Sequence, residues 1–179
     1  MSERLTVCEY LEGEETLRPT ELVWGVVREP PAPKFGHQSV VFRAAVVLEQ
    51  YVRASALGIV GVSPIDVVLD AQKNLVVQPD ILFVARERAG IVRDQVWGAP
   101  DLVVEVLSRG TARRDRTTKL GWYRDYGVRE CWLLDLETHG VEVVYLATAD
   151  AGVRIFDGDE PVQSLVLPDF HPAASELFE

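Results

Sequence analysis

The run DLVVEVLS at residues 101–108 constrains the fold of this chain more than any other segment. Its apolar and β-branched residues predict a buried strand. Glu105 stands in the middle of that strand, and burying a carboxylate costs several kcal/mol unless a cation or hydrogen-bond donors compensate it. The fold must therefore bring a partner to Glu105.

A second buried segment, LVVQPDILFV at residues 75–84, also carries an acid, Asp80. Neighbouring strands lie about 5 Å apart, so adjacent strands in the right register would hold Asp80 within a few ångströms of Glu105. Asp101 would lie about 13 Å from Glu105 along one strand, too far to share a metal ion with it. We interpret Asp101 as a strand-start or turn residue. The alternative for Asp80 is a bend residue that only accepts backbone hydrogen bonds.

A helix is predicted from about residue 112 to residue 126, where Gly127 ends it. This helix carries Lys119, and two carboxylates followed by a lysine suggest a site for Mg²⁺ or Mn²⁺ beside a positive group. Such an ion can polarise a phosphodiester and neutralise charge on the leaving oxygen. The alternative is a surface Lys119 paired with Asp115, four residues earlier. Tyr123, on the same helix face, is expected to pack in the core.

The remaining segments predict an α/β (α+β) fold, with residues 1–179 as a single domain. Thr6 is expected to cap a short helix, and residues 37–53 have apolar side chains at helical spacing. Short strands fill most of the rest, including additional strands near both termini. We expect one central mixed sheet flanked by helices, with Asp66 and Asp70 facing solvent.

Charge is distributed unevenly along the chain. The net charge of −10 argues against a general nucleic-acid coat protein. Residues 109–129 nevertheless contain seven basic and two acidic residues. This window follows the Glu105 strand, where a phosphate backbone would approach, and a solvated helix face is the alternative. The candidate contacts to a DNA backbone are Arg109, Arg113, Arg114 and Arg116.

Membrane and export signals are not evident in the sequence. No apolar stretch approaches the roughly 18–20 residues that a membrane span needs. The first residues lack the basic and apolar regions of a secretory signal. Cys8 and Cys131 are far apart and are interpreted as free thiols in a reducing compartment. We therefore expect a cytoplasmic protein that does not bind membranes.

Several motifs together resemble those of one family. They are QPD-ILFV, GAPDLVVEVLS, the spacing TxxxDxxxKxxxY from Thr111 to Tyr123, and GVxExWLLD from Gly127 to Asp135. This set resembles the restriction-endonuclease-like Uma2 family, a bacterial branch of the PD-(D/E)XK nuclease superfamily. The resemblance runs from about Thr6 to Phe178 and is most specific in its central part.

The resemblance implies a helix-flanked mixed sheet with a magnesium-dependent phosphodiesterase site. Asp80 would be the first acidic residue of the superfamily pattern, and Glu105 would be the (D/E). Leu107 stands where the general pattern has lysine, so Lys119 on the following helix would replace it. The backbone carbonyl of Val106 would be an additional metal ligand.

Three further residues are candidates for supporting roles. His37 opens the long helix, and a capping or surface role is its alternative. Glu21 could also reach the site. Pairing with Asp115 could orient Lys119 towards the carboxylates.

The leading hypothesis is a metal-dependent endonuclease that acts on DNA and forms a homodimer, so that both strands are cut. One alternative is a non-catalytic protein that keeps the nuclease fold for binding, which the acidic net charge favours. The other is a small-molecule phosphodiesterase. A metal requirement separates the two enzymes from the binding protein, and polymer cleavage separates the enzymes from each other.

Overall fold

The computed structural model describes residues 4–13, 18–108, 115–148 and 152–179. Three helices are described: α1 at Val7–Leu11, α2 at Phe35–Ala54, and α3 at Leu120–Tyr126, which directly follows a π-helical turn at Asp115–Lys119. Short 3₁₀ turns lie at Arg86–Ile91 and Ala174–Leu177. The strands are β1 Glu21–Val23, β2 Val26–Arg28, β3 Gly58–Val62, β4 Val67–Asp70, β5 Leu75–Val77, β6 Ile81–Ala85, β7 Val96–Trp97, β8 Leu102–Leu107, β9 Glu130–Asp135, β10 Val141–Tyr145 and β11 Val153–Phe156.

The strands form two mixed sheets. One has five strands in the order β2-β1-β5-β4-β7, and the other has six in the order β11-β10-β9-β8-β6-β3. Each sheet contains one parallel pair, β4 with β7 and β8 with β9, and its other pairs are antiparallel. The expectation of one central sheet was therefore wrong.

The segment at residues 75–84 explains that error. It is not one strand but two, β5 in the five-stranded sheet and β6 in the six-stranded sheet. Gln78, Pro79 and Asp80 carry the chain from one sheet to the other. Pro79 lacks the N–H that a sheet ladder needs, so a strand break at this point is physically reasonable.

Helix α2 covers one face of the six-stranded sheet. Its buried stripe includes Val41, Ala44 and Leu48, which share a core cluster with Val104 of β8 and Trp132 of β9. The opposite face of the same sheet contributes to a second cluster with β4, β5 and α3. The six-stranded sheet is thus buried on both sides, as its near-continuous apolar strands require.

Local signals set several element ends as predicted. Thr6 and Glu9 form a capping box at α1, in which Thr6 Oγ1 accepts from Glu9 N and Thr6 N donates to Glu9 Oε2. Gly127 ends α3 with a φ of 93°, a backbone conformation that favours glycine. In the part of the chain that the structure describes, no helix combines the length and apolar character needed to cross a bilayer.

Candidate active site

The pairing of β6 with β8 brings Asp80 and Glu105 together. The antiparallel ladder ends at the pair Ile81–Val104, and continuing its register by one position would set Asp80 level with Glu105. The N–H of Val106 donates to Asp80 Oδ2 at 2.7 Å. Glu105 is buried, whereas the Asp80 side chain keeps 18% of its surface exposed.

Lys119 reaches the carboxylates from the last position of the π-helical turn. Its Nζ lies 2.8 Å from Glu105 Oε1 and 3.2 Å from Glu21 Oε1. Only 6% of Lys119 is exposed, so the surface-lysine alternative is wrong. Asp115 begins the same turn, but its side chain lies outside the described residues, and its pairing with Lys119 stays a prediction.

Tyr123 is a member of this cluster that the sequence reasoning assigned only to the core. It is fully buried, and its hydroxyl donates to the same Oε1 of Glu105 that contacts Lys119. Burial first, and then the charge of Glu105, raises the pKa of Tyr123 well above its usual 10. Tyr123 therefore stays a protonated donor at neutral pH. Its position four residues after Lys119, on the same helix face, was the available signal.

Two supporting candidates also reach the site. His37, in the first turn of α2, has its Nε2 3.3 Å from Asp80 Oδ2. Glu21, the first residue of β1, is buried and contacts Lys119. Five residues of the cluster line a cleft of about 490 Å³: Glu21, His37, Asp80, Glu105 and Lys119. Other residues that line it include Pro30, Pro31, Ala32, Pro33, Lys34, Gln38, Gln78 and Glu137.

A polar network behind the cleft links α1 to the sheet crossing. The N–H of Thr20, next to Glu21, donates to Gln78 Oε1 at 3.1 Å, and Gln78 Nε2 donates to Asp66 Oδ1 at 2.9 Å. The Tyr10 hydroxyl lies 2.8 Å from Thr20 Oγ1 and 3.3 Å from Asp66 Oδ1.

Asp66 is half-buried in this network, so the expectation that it faces solvent was wrong. Burial raises the pKa of Asp66 above 3.8, and burial is also the main reason that the pKa of Tyr10 rises to about 12.

The donor set is consistent with a hard divalent cation. Within the described residues, no group of three or more His, Cys, Asp or Glu side chains has metal-site spacing. Mg²⁺ keeps several waters and is commonly bound through one or two carboxylates plus substrate phosphate, so two carboxylates suffice. Among the described residues, the Val106 N–H and His37 Nε2 contact Asp80 at Oδ2, and Asp80 lines the cleft. Asp80 and Glu105 therefore fit such an ion.

The arginines predicted to contact a DNA backbone lie in a segment of which the structure describes little. Arg109, Arg113 and Arg114 lie outside the described residues, and the side chain of Arg116 is also not described. Their proposed role stays a prediction.

Comparison with known proteins agrees with the fold and the motifs. The Uma2 family model, described as "Putative restriction endonuclease", matches residues 7–175. A crystal structure of "a putative nuclease belonging to DUF820" from Anabaena variabilis is similar over 97% of each chain, with a TM-score of 0.80 and 20% identity. At that identity the similarity shows the fold alone, and it confirms the predicted fold class. No curated protein matches the sequence.

Proposed function

The chain belongs to the Uma2 family, and from this we propose that it is a metal-dependent endonuclease that hydrolyses DNA phosphodiester bonds. The observation that carries the proposal is the cluster at the bottom of the cleft. Asp80, directly before β6, and Glu105 of β8 line the same cleft, and Lys119 Nζ lies 2.8 Å from Glu105 Oε1. Family membership and a nuclease fold support the reaction class, and the cluster supplies groups suited to it.

Asp80 and Glu105 are the residues proposed to hold Mg²⁺ or Mn²⁺, together with the backbone carbonyl of Val106. When bound there, the ion would polarise the phosphodiester and neutralise developing negative charge. Hydrolysis adds one water: its oxygen bonds to phosphorus, the P–O3′ bond breaks, and the leaving 3′ oxygen takes a proton. The products are a 5′-phosphate and a 3′-hydroxyl end.

Lys119 is the proposed electrostatic partner of the scissile phosphate. An ammonium in a buried, water-poor setting stabilises negative charge more strongly than one at the surface, because the effective dielectric is lower. Glu21 and Glu105 both contact Nζ, so its position is fixed before substrate arrives. Tyr123 and His37 are proposed positioning residues, since they contact Glu105 and Asp80 respectively.

Three finer parts of the hypothesis go beyond the site itself. DNA as the substrate is proposed from the family description. A homodimer is proposed because two copies of one site would cut both strands of a duplex. A cytoplasmic location is proposed from the sequence, since DNA and reduced cysteines coexist there.

A binding protein without catalysis remains the second candidate, and the net charge of −10 favours it. An acidic surface repels the phosphate backbone, which weakens the sequence-independent part of DNA affinity. The two candidates differ in what Lys119 does, because a binding protein would use it only to neutralise Glu105.

The test is nicking of supercoiled plasmid with Mg²⁺ or Mn²⁺ by the wild type, Lys119→Met and Lys73→Met. Lys73 is the matched control, because it is an exposed lysine outside the cleft. We expect Lys119→Met to lose about 100-fold or more in rate, as for removal of one preorganised charge-stabilising group, and to keep Mn²⁺ binding by calorimetry. Lys73→Met should cleave like the wild type.

Each contrary result points to one alternative. Equal activity of the two lysine variants would reject Lys119 as a catalytic residue. Mn²⁺ binding without plasmid cleavage by the wild type would reject this DNA activity and favour a small phosphodiester. Neither binding nor cleavage would favour the non-catalytic protein.

A further inference from the structure

The strand β3 differs from the other strands at the sheet edges. In the part of the chain that the structure describes, the edges are β2 and β7 of one sheet and β11 and β3 of the other. Strands β2 and β11 carry Arg28 and Arg154, and β7 has only two residues. Strand β3 has five residues without charge or proline, and residues 54–65 around it contain no charged side chain. Soluble proteins usually protect sheet edges with charge, proline or short length, so β3 is an unprotected edge.

The backbone of β3 offers hydrogen bonds along its open edge. Ser63 N donates to Asp80 O at 2.9 Å, in register with the antiparallel ladder of β3 and β6. The bonding direction alternates along an antiparallel strand, so Gly58, Val60 and Val62 direct their N–H and C=O groups away from β6. These three positions are spaced evenly about Val60. A second β3 related by a two-fold axis at Val60 can therefore pair with them, with Gly58 opposite Val62 of the partner.

Helix α2 adds an exposed aromatic residue on the side of this edge. Tyr51 stacks on Phe170, which stacks on Trp132 of β9, so the Tyr51 face of α2 turns towards β9. Phe42 precedes Tyr51 by nine residues, or two and a half helical turns, and therefore lies on the opposite face. Because β9 and β3 lie on opposite sides of β8 and β6, that face turns towards β3, which α2 contacts. The exposed apolar side chains around the open edge are Phe42, Ile59 and Val62.

We propose that β3 is the contact between two copies of this chain, which pair their β3 strands antiparallel about Val60 and join two six-stranded sheets into one. A second copy fits because the edge is complementary to itself and carries no charge that would select another partner. A two-fold contact also closes after two copies, and both ends of the joined sheet are then β11 with its Arg154. This inference rests on the homodimer of the proposed function and names its contact surface.

The pairing also determines where the two clefts lie. Ser63 directly follows β3 and lines the cleft, so the cleft is at one end of this strand. Paired antiparallel strands run in opposite directions, which brings the two clefts to opposite ends of the joined sheet. Each copy therefore reaches a phosphodiester of its own, and the two strands of a duplex would be cut as separate nicks.

The first experiment measures mass in solution by light scattering, without DNA or metal, for the wild type, Ile59→Lys and Ile155→Lys. Ile155 is the matched control, because it is an exposed isoleucine on β11 at the other edge of the same sheet. We expect the wild type to have twice the 20.0 kDa of one chain. Ile59→Lys should raise the dimer dissociation constant at least about tenfold, because two lysines enter one uncharged contact. Ile155→Lys should behave like the wild type.

A wild type that stays monomeric at the highest concentration reached would overturn the dimer, and equal dissociation constants for the two variants would overturn its location at β3. Either result leaves the chemistry of the cleft standing. A dimer of the expected mass that does not cleave plasmid would instead reject the nuclease reaction and leave the β3 contact standing.

The second experiment needs no substitution in β3. Hydrogen exchange of the wild type is followed by mass spectrometry above and below the dimer dissociation constant. Backbone amides of residues 58–62 should exchange at least about tenfold more slowly in the dimer, because Gly58, Val60 and Val62 then donate to the partner strand. Amides of residues 153–156 in β11 are the internal control and should not change. Protection that depends on concentration elsewhere but not in β3 would overturn the proposal.

Plasmid nicking tests whether the two clefts act separately. The described residues of the cluster all come from one chain, and Ile59 does not line the cleft. Ile59→Lys should therefore nick supercoiled plasmid at the wild-type rate per chain. Loss of nicking in Ile59→Lys but not in Ile155→Lys would overturn the independence of the two clefts.

Discussion

Asp80 and Asp101 each follow a proline directly before one of two neighbouring strands, but their surroundings in the fold differ. Asp80 precedes β6 and Asp101 precedes β8, so the antiparallel pairing sends them to opposite ends of the ladder. Asp101 is fully buried, accepts the Ala85 N–H at 2.9 Å, and contacts Arg88 at 3.0 Å and Arg129 at 3.3 Å. Asp80 is partly exposed at the cleft. Burial among several donors indicates a structural role for Asp101, whereas Asp80, partly exposed at the cleft, is able to contact a ligand.

The largest effect should come from removing the Asp80 charge. Asp80→Asn is expected to lower Mn²⁺ affinity at least about 100-fold, since even indirect partners of metal ligands cost 10–100-fold. Unfolding free energy should change by less than about 1 kcal/mol, because the residue is at the cleft surface and relief of repulsion from Glu105 offsets lost contacts. Calorimetry with Mn²⁺ and urea unfolding measure the two quantities. Unchanged affinity would remove Asp80 from the site.

The converse is expected of Asp101. Asp101→Asn should destabilise the protein by about 2–3 kcal/mol, because it weakens a buried set of hydrogen bonds and ion pairs. Arg88 and Arg129 are more than a third exposed and can turn to water, which limits the loss. Mn²⁺ affinity of the folded variant should equal that of the wild type. A variant as stable as the wild type in urea would contradict the structural role of Asp101.

Glu105 is buried like Asp101 but lines the cleft like Asp80. Tyr123→Phe tests how much its buried hydrogen bond contributes to stability. Tyr123→Phe should lower the free energy of unfolding by about 1–2 kcal/mol, because one buried donor to Glu105 is lost while Lys119 remains. The raised pKa of Tyr123 means that the folded protein holds this proton more tightly than the unfolded chain. Its contribution is therefore present below pH 10 and lost as pH rises towards the folded pKa. Urea unfolding across alkaline pH should show a weaker decline in the variant than in the wild type.

Asp66 extends the comparison to an acid whose partners are neutral, and its effect should be the smallest. Its pKa is raised by burial, so its contribution to stability is fully present below 3.8 and is lost as pH rises through the folded pKa. This loss of unfolding free energy should be less than about 1 kcal/mol, because solvent screens a half-exposed group. Asp66→Asn should abolish it. Unfolding measured on both sides of this range checks it. An unchanged pH profile in the variant would contradict the assignment.

Local chemistry made part of the fold predictable from sequence. The capping box of Thr6, the helical stripe of α2 and the αL end at Gly127 each depend on nearby residues only. Asp80 and Glu105 were also visible, because a carboxylate inside an apolar run must have a special environment. Both stand in runs that the structure confirms as strands or strand ends.

The missed features all depend on long-range partners. The crossing at Gln78 could not be predicted, because LVVQPDILFV reads as one strand until its two halves find different neighbours. Asp66 alternates with apolar residues as an exposed acid would, and only Tyr10 and Gln78, brought from elsewhere, bury it. Tyr123 has the pattern of any core aromatic, and its hydroxyl partner is 18 residues away.

The contact between Lys119 and Glu21 has a consequence for folding. Glu21 belongs to the five-stranded sheet, whereas Glu105 belongs to the six-stranded sheet, and Lys119 bonds to both. The complete cluster therefore exists only after the two sheets have docked. A ligand that binds this cluster binds the native state alone, and by mass action it adds about 2.7 kcal/mol of stability at 100 times its Kd. Thermal melting in the presence of Mn²⁺ therefore measures how strongly a bound ion stabilises the folded protein.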